Sequence, residues 1–416
     1  MPQQPEWNEL ERQAFAASVE QERSLQEKQK HFPVELPATE AECETLVQLV
    51  NLQVRLGLDT HAYKTLERLG ARCPEGGTRY ARAVQRAKWY LGLEQPPPVP
   101  THEDRFWQSA PAEETGASEQ ALAAHLKLCQ DTRADACLVV HKGRIVQEYY
   151  APWYNPPVYA MSCTKSITSL LIGLLLEEGK LPSLDQPVCH FLPEWCDLER
   201  RAVTVRHLIT MTAGLSRRTD QTVMRARDPN AFVIGLRPDF PPGTAWAYSN
   251  EGVQLLSPII ARAAGMPVQE YARLRLFQPL GMTATALGTD RNQQALTYAD
   301  MLTTPREMAR IGLMMLQQGR WQGRQVVSAE WVRESTSPSQ GFNPGYGYLW
   351  WLIDKSLGFG AMGDNETSIY VFPAWDLVVV RAQLNPRGLR PELRFRPKAF
   401  ALFRQIALNL PTEAQD

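Results

Sequence analysis

The chain has 416 residues, 44% of them apolar, with 44 basic and 45 acidic side chains and a formal net charge of −1. That is enough material for a sizeable core in two or three domains, or in one large domain with an extension. With a net charge near zero and no long basic run, nucleic acid is not an expected partner. The amino terminus, MPQQPEWNELERQ, lacks an apolar signal core, and the longest apolar run, Leu170 to Leu176, is far too short to span a bilayer. The expectation is a soluble cytoplasmic protein without a membrane partner. Seven cysteines are scattered along the chain, with Cys189 and Cys196 the nearest pair in sequence. They read as free buried thiols in a reducing compartment. There is no H-E-x-x-H and no clustered His/Cys pattern, so neither metal nor cofactor is expected.

Residues 1 to about 95 read as helical, with AECETLVQLVNLQVRLGL and TRYARAVQRAKWYLGL as amphipathic segments. EQPPPVP, Glu94 to Pro100, breaks any helix and marks a stiff connector. The predicted domains are therefore a helical extension with its linker over 1–100 and a main domain over 101–416. The extension reads either as a partner-binding or substrate-capping module or as a helical appendage on the main domain; its protein partner is unknown. After the linker, EQALAAHLKLCQ predicts a helix and ACLVVHKGRIVQEYY a β-hairpin turning at Lys142-Gly143. YAMSCTKSITSLLIGLLLEEGK, from Tyr159, is a strongly apolar helix. A helical, loop-rich stretch runs to about Gln340. YGYLWWLI, TSIYVF and DLVVVRAQL then read as strands, the last two joined by a tight PAW turn, and PELRFRPKAFALFRQIALNL as a closing helix. Strands at both ends with helices between predict an α+β fold: one antiparallel sheet built from both chain ends, flanked by helices, with an inserted helical lobe.

The apolar helix carries Ser162 and Lys165 in its first turn, three residues apart and hence on one face. A helix start leaves backbone N–H groups unpaired and partially positive, so a nucleophile there has an oxyanion donor in its own N–H. The dry turns beyond disfavour an ammonium ion and lower a lysine's pKa, and such a lysine can help deprotonate a serine. Among the ten lysines, Lys165 is the one with a serine three positions before it. The alternative is a capping serine beside a solvated lysine. The one Tyr-x-Asn, Tyr248 to Asn250, lies in the Pro/Gly-rich loop PPGTAWAYSNEG ahead of the helical pattern GVQLLSPIIARAAG. A tyrosinate stabilised by lysine can serve as general base, and an asparagine two residues on can hold a substrate amide or carbonyl. Alone, these would be a turn tyrosine and a capping asparagine.

SCTK followed 86 residues later by YSN resembles the serine β-lactamase and penicillin-binding protein superfamily, in its class C β-lactamase-like branch of esterases, D-aminopeptidases and 6-aminohexanoate-dimer hydrolases. Class A enzymes carry Ser-Asp-Asn in the second place. VTVRHLITMTAGL resembles the branch's TVRHLLTHTSGL, with Met211 where histidine is common, and FQPLGMTAT resembles its F-x-PLGM-x-x-T. The resemblance runs from about Ala136 to Ala382 and implies a β-lactamase-like fold. It further implies a serine hydrolase working through a Ser162 acyl-enzyme, with Lys165 and Tyr248 as the proton-transfer pair and Asn250 on the substrate.

The third motif of that superfamily, Lys-Thr-Gly or His-Thr-Gly on the strand lining the site, is replaced by Ala361-Met362-Gly363. Gly363 still permits close backbone approach. The resemblance implies that the N–H after it, that of Asp364, completes the oxyanion hole, where a carboxylate is unfavourable unless its side chain points away. The expected substrate is a small ester or amide rather than a β-lactam, because the motif's charge is lost. An α/β-hydrolase triad is a poor fit: there is no G-x-S-x-G, and no histidine follows His207. A catalytically silent binding protein on the same scaffold is the alternative. Tyr346, Tyr348, Trp350 and Trp351 either pack the sheet or line an acyl pocket with one face. The basic loop Arg217 to Arg227 reads as solvated or as a seat for a substrate anion.

Overall fold

Every residue of the run Ala136–His141 is buried, which requires cover on both faces of the strand it forms. This architecture comes from a computed structural model that describes residues 106–410 apart from 133, 152–153, 155–156, 216–222, 224–225, 291, 354–356 and 384–394, together with scattered positions between 20 and 73. Helix α1 (Glu119–Asp131) begins at Ser118, whose hydroxyl accepts from the Ala121 N–H. Strands β1 (Ala136–His141) and β2 (Arg144–Tyr150) form the predicted hairpin; Lys142 and Gly143 take φ of 50° and 73°, the doubly left-handed turn that suits the strand twist. Helix α2 (Cys163–Glu177) is buried continuously from Cys163 to Leu175: its second half is the apolar run Leu170–Leu175, and the hydroxyls and amine of its first half are buried with it. Helix α3 (Asn250–Ala264) starts at Ser249 and stops at left-handed Gly265, and α4 (Pro305–Leu316) starts at Thr304. Strands β3 (Trp351–Ile353), β4 (Gly358–Met362), β5 (Ser368–Phe372) and β6 (Leu377–Ala382) follow, and α5 (Phe395–Leu408) closes the described chain.

The sheet has the antiparallel order β2-β1-β6-β5-β4-β3. Its centre is the pairing of β1 with β6, Ala136 opposite Ala382 and His141 opposite Leu377, so strands from the two ends of the domain are neighbours as predicted. Side-chain alternation then gives two cores. Cys137, Val139, Tyr370, Phe372 and Val379 face Ala399, Phe403 and Ile406 of α5 together with α1. Leu138, Val140, Ile369, Val371, Val378 and Val380 face the larger core shared with α2, α3 and α4. Helix α4 lies directly on this face: a Cβ added to Gly312 would come within 2.5 Å of Val378 Cγ1.

Two expectations are corrected. The cysteines are not free thiols: Cys43–Cys73, Cys129–Cys137 and Cys189–Cys196 are disulfides, and buried Cys163 alone is unbridged. The fold brings the end of α1 and the start of β1 together, so Cys129 meets Cys137. YGYLWWLI is not one strand. Tyr346 bridges to Trp351 across a turn in which Leu349 takes a φ of 63°. Leu349 donates its N–H to the Ile209 carbonyl, and its own carbonyl accepts from the Ser166 hydroxyl at 2.7 Å. These tertiary hydrogen bonds replace a ladder. The described positions between 42 and 69 are helical, while the EQPPPVP connector lies outside the described residues. Among the described residues no helix is long and apolar enough to cross a membrane.

Candidate active site

Ser162 occupies the position before α2, and its side chain makes no cap to the helix. The chain enters it under constraint. Val158–Tyr159 pairs with Leu302–Thr303, the Ala160 N–H donates to Met301 O at 2.8 Å, and Thr164 Oγ1 donates to Met161 O at 2.7 Å. Between these anchors Met161 is held at a φ of 49°, a left-handed conformation that a methionine adopts only where its surroundings impose it. Among the described residues the Ser162 N–H has no acceptor.

One turn on, Lys165 is 1% exposed. Its Nζ donates to Ser162 Oγ at 3.0 Å and to the Tyr298 carbonyl at 2.7 Å. It also lies 5.0 Å from the centre of the Tyr248 ring and 5.6 Å from that of Tyr298. The structure thus brings Ser162, Lys165 and Tyr248 together in one cluster.

Tyr248 is positioned by the loop ahead of α3. The Ala247 N–H donates to Met211 O at 2.9 Å and the Ser249 N–H to Met211 Sδ at 3.4 Å. Ser249 Oγ in turn accepts from the Gly252 N–H at 2.9 Å, so it is Ser249, not Asn250, that caps α3. This frees the Asn250 carboxamide. Asn250 is 7% exposed and its buried Oδ1 has no hydrogen-bond partner, a deficit of about 1–3 kcal/mol that a donating ligand group would relieve.

Gly363, at the end of β4, presses on the nucleophile. A Cβ there would lie 2.8 Å from Met161 Cβ, 2.9 Å from Ala160 O and 3.0 Å from Ser162 N. The buried Cys163 thiol lies 3.3 Å from both the Ala361 and the Thr367 carbonyls and ties this loop to the start of α2. The Gly363 N–H is already committed to Thr367 O at 2.7 Å. Asp364 follows with its side chain exposed, so its charge is solvated rather than buried against Ser162. Ala361 is fully buried and Met362 half-buried, and neither brings a charge.

Of the four flagged aromatics, two reach Tyr248. Trp351 stacks on it at 6.0 Å between centroids and 21° between planes, and Tyr346 meets it edge-on at 6.5 Å. Burial, and next the adjacent Tyr248, hold the Tyr346 phenol well above its ordinary pKa. Tyr348 instead accepts from Arg206 Nη1 at 3.0 Å, and Trp350 packs edge-on against Phe359. Arg217 and Arg218 lie outside the described residues. Among the described residues the one buried group of metal-ligating side chains is His125, Cys129 and Cys137, remote in sequence from the site, and its two sulfurs are bonded to each other. Sequence reasoning missed the carbonyl of Tyr298, which orients Lys165, and the role of Met211 as a backbone anchor. No local pattern marks the first, and the replacement of the usual histidine marked the second.

The family model described as Beta-lactamase matches residues 120–388. The 6-aminohexanoate-dimer hydrolase of Paenarthrobacter ureafaciens is 25% identical over 288 residues, covering 61% of this chain and 73% of that protein. Esterase EstB of Burkholderia gladioli is 32% identical over 142 residues, 29% of this chain and 36% of that protein. Among solved structures, a penicillin-binding protein from Bacillus halodurans superposes with a TM-score of 0.55 at 18% identity, covering 67% of this chain and 100% of that one.

Proposed function

The chain belongs to the Beta-lactamase family, and on that premise we propose that it is a serine acyl-hydrolase, an esterase or amidase, that works through an acyl-enzyme on Ser162. The observation that carries the reading is the buried Lys165 Nζ 3.0 Å from Ser162 Oγ at a helix start. Lys165 and Tyr248 relay the serine proton as Ser162 Oγ attacks the substrate carbonyl. The developing oxyanion accepts from the Ser162 N–H and from the N–H of Asp364, next to the close-packed Gly363. Asn250 holds the substrate's amide or carbonyl through its carboxamide. The same pair returns the proton to the leaving group and activates the water that clears the acyl-enzyme. Esterase EstB and a 6-aminohexanoate-dimer hydrolase among the relatives support this substrate class.

A β-lactam is the poorer substrate. Ala361 and Met362 offer nothing to the carboxylate beside a lactam amide, and a lost charge-assisted hydrogen bond is worth roughly 1.5–3 kcal/mol, about tenfold to over a hundredfold in affinity. The test is labelling with a fluorophosphonate, with the adduct mapped by peptide mass. The expected adduct is on Ser162, and Ser162→Ala abolishes both labelling and turnover of p-nitrophenyl esters while leaving the fold intact. A folded protein in which Ser162 stays unlabelled is a silent binding scaffold, and the reading fails.

A further inference from the structure

The aromatic residues around Tyr248 have no part in the chemistry so far. Trp351 lies nearly parallel to the Tyr248 ring, and it also packs edge-on at 4.8 Å against Tyr346. Tyr346 is 1% exposed, so it is a fixed base on which Trp351 rests. Trp246 completes the group at 5.6 Å from Tyr346 and 6.3 Å from Trp351. The rings form one contacting group, and Tyr248 lies at its edge.

That block is built on the nucleophile helix. The turn between Tyr346 and Trp351 is fastened through the Leu349 carbonyl to Ser166 Oγ, and Ser166 is the residue after Lys165. On its other side the turn is closed by the Gly347 N–H donating to Trp350 O at 2.8 Å, with Gly347 so tight against the Ser335 carbonyl that a Cβ would lie 2.1 Å from it. Helix α2 thus carries Lys165 directly and, through the Ser166–Leu349 hydrogen bond, anchors the turn that leads into Trp351. Tyr248 arrives from a different element, a half-buried loop ahead of α3. Its ring lies against the plane of Trp351.

We propose that Trp351 is a positioning residue: its stacked indole sets the Tyr248 ring against Lys165 and so aligns the proton path to Ser162. The proposal rests on the acyl-hydrolase reading above. A flat face is required, not bulk. Trp351→Phe keeps a face to stack on, whereas Trp351→Leu keeps a smaller apolar side chain without a face and Trp351→Ala keeps neither.

The test measures kcat and KM of the full chain and these three variants on p-nitrophenyl acetate and p-nitrophenyl hexanoate, after circular dichroism has matched each to the native protein. Trp351→Leu and Trp351→Ala are expected to lose kcat by roughly 10- to 100-fold, the range that misplacing a catalytic group costs. The loss is the same for both esters, KM is nearly unchanged, and Trp351→Phe recovers most of the rate. In a Tyr248→Phe background, Trp351→Leu is expected to cost little more, because the hydroxyl it positions is gone. A loss that appears in KM and grows with acyl length makes Trp351 a substrate wall and overturns the proposal, as does a loss that multiplies in the Tyr248→Phe background. If Ser162→Ala is inactive while Trp351→Leu equals the native enzyme, only this inference fails. An active Ser162→Ala removes the reading beneath it.

Discussion

Replacing Gly363 by alanine probes the contact on which the proposed oxyanion hole depends. The backbone there, φ −116° and ψ 174°, suits alanine, so no conformational penalty enters. The effect is one of contact alone. The new methyl would lie 2.8 Å from Met161 Cβ, about 0.7 Å inside an ordinary carbon–carbon contact of about 3.5 Å. Two of the three nearest atoms are backbone, Ala160 O and Ser162 N, and both belong to a segment pinned by Met301 and Thr164. The strand end must therefore move away from the nucleophile. Relief of such overpacking costs about 1–3 kcal/mol of stability. The catalytic cost is larger. Separating one backbone donor from the oxyanion position forfeits about 2.7–4 kcal/mol, or 10²- to 10³-fold in kcat. Thermal melts and steady-state turnover of p-nitrophenyl acetate measure the two effects on one preparation. A variant with a lowered melting temperature but native kcat would falsify the placement of the oxyanion site at this contact. A variant native in both would show that the helix start and β4 do not constrain each other.

Lys165→Ala and Tyr248→Phe are each expected to remove most esterase activity, and the double variant to lose little more, since the two act as one proton-transfer unit; losses that multiply would separate them. His125 is buried, and desolvation lowers its pKa to about 4 from 6.5. The unfolded chain binds a proton there that the folded chain refuses, so stability is full above pH 6.5 and falls by up to roughly 3 kcal/mol as pH drops towards 4. Urea melts across that range should show this slope in the native protein and lose it in a folded His125→Gln variant. In denaturant without reductant the chain should expose one titratable thiol, that of Cys163, against seven after reduction. Loss of the Cys129–Cys137 bridge, which spans 8 residues, should lower stability by about 2.5 kcal/mol by loop entropy. An unreduced count of seven would refute the pairing.

The sequence alone determined what local physics can encode. The apolar run after Ser162 required a buried helix, and its first turn placed Lys165 on the serine's face. Lys142-Gly143 specified the hairpin, and strand-like segments at both ends of the domain specified a sheet closed by β1 and β6. These signals act within a few residues, through backbone sterics and side-chain period, and they survive whatever packs around them. Tertiary structure decided the rest. The carbonyl that orients Lys165 belongs to Tyr298, 133 residues on. The aromatic run became a turn because Ser166 and Ile209 took up the backbone groups of Leu349. Cysteines that read as free thiols were paired by the elements that carry them. Gly363 gained its importance only from the proximity of Ala160, Met161 and Ser162, two hundred residues earlier. A contact between distant segments has no local signature, because the energy that fixes it belongs to the whole core and not to either segment alone.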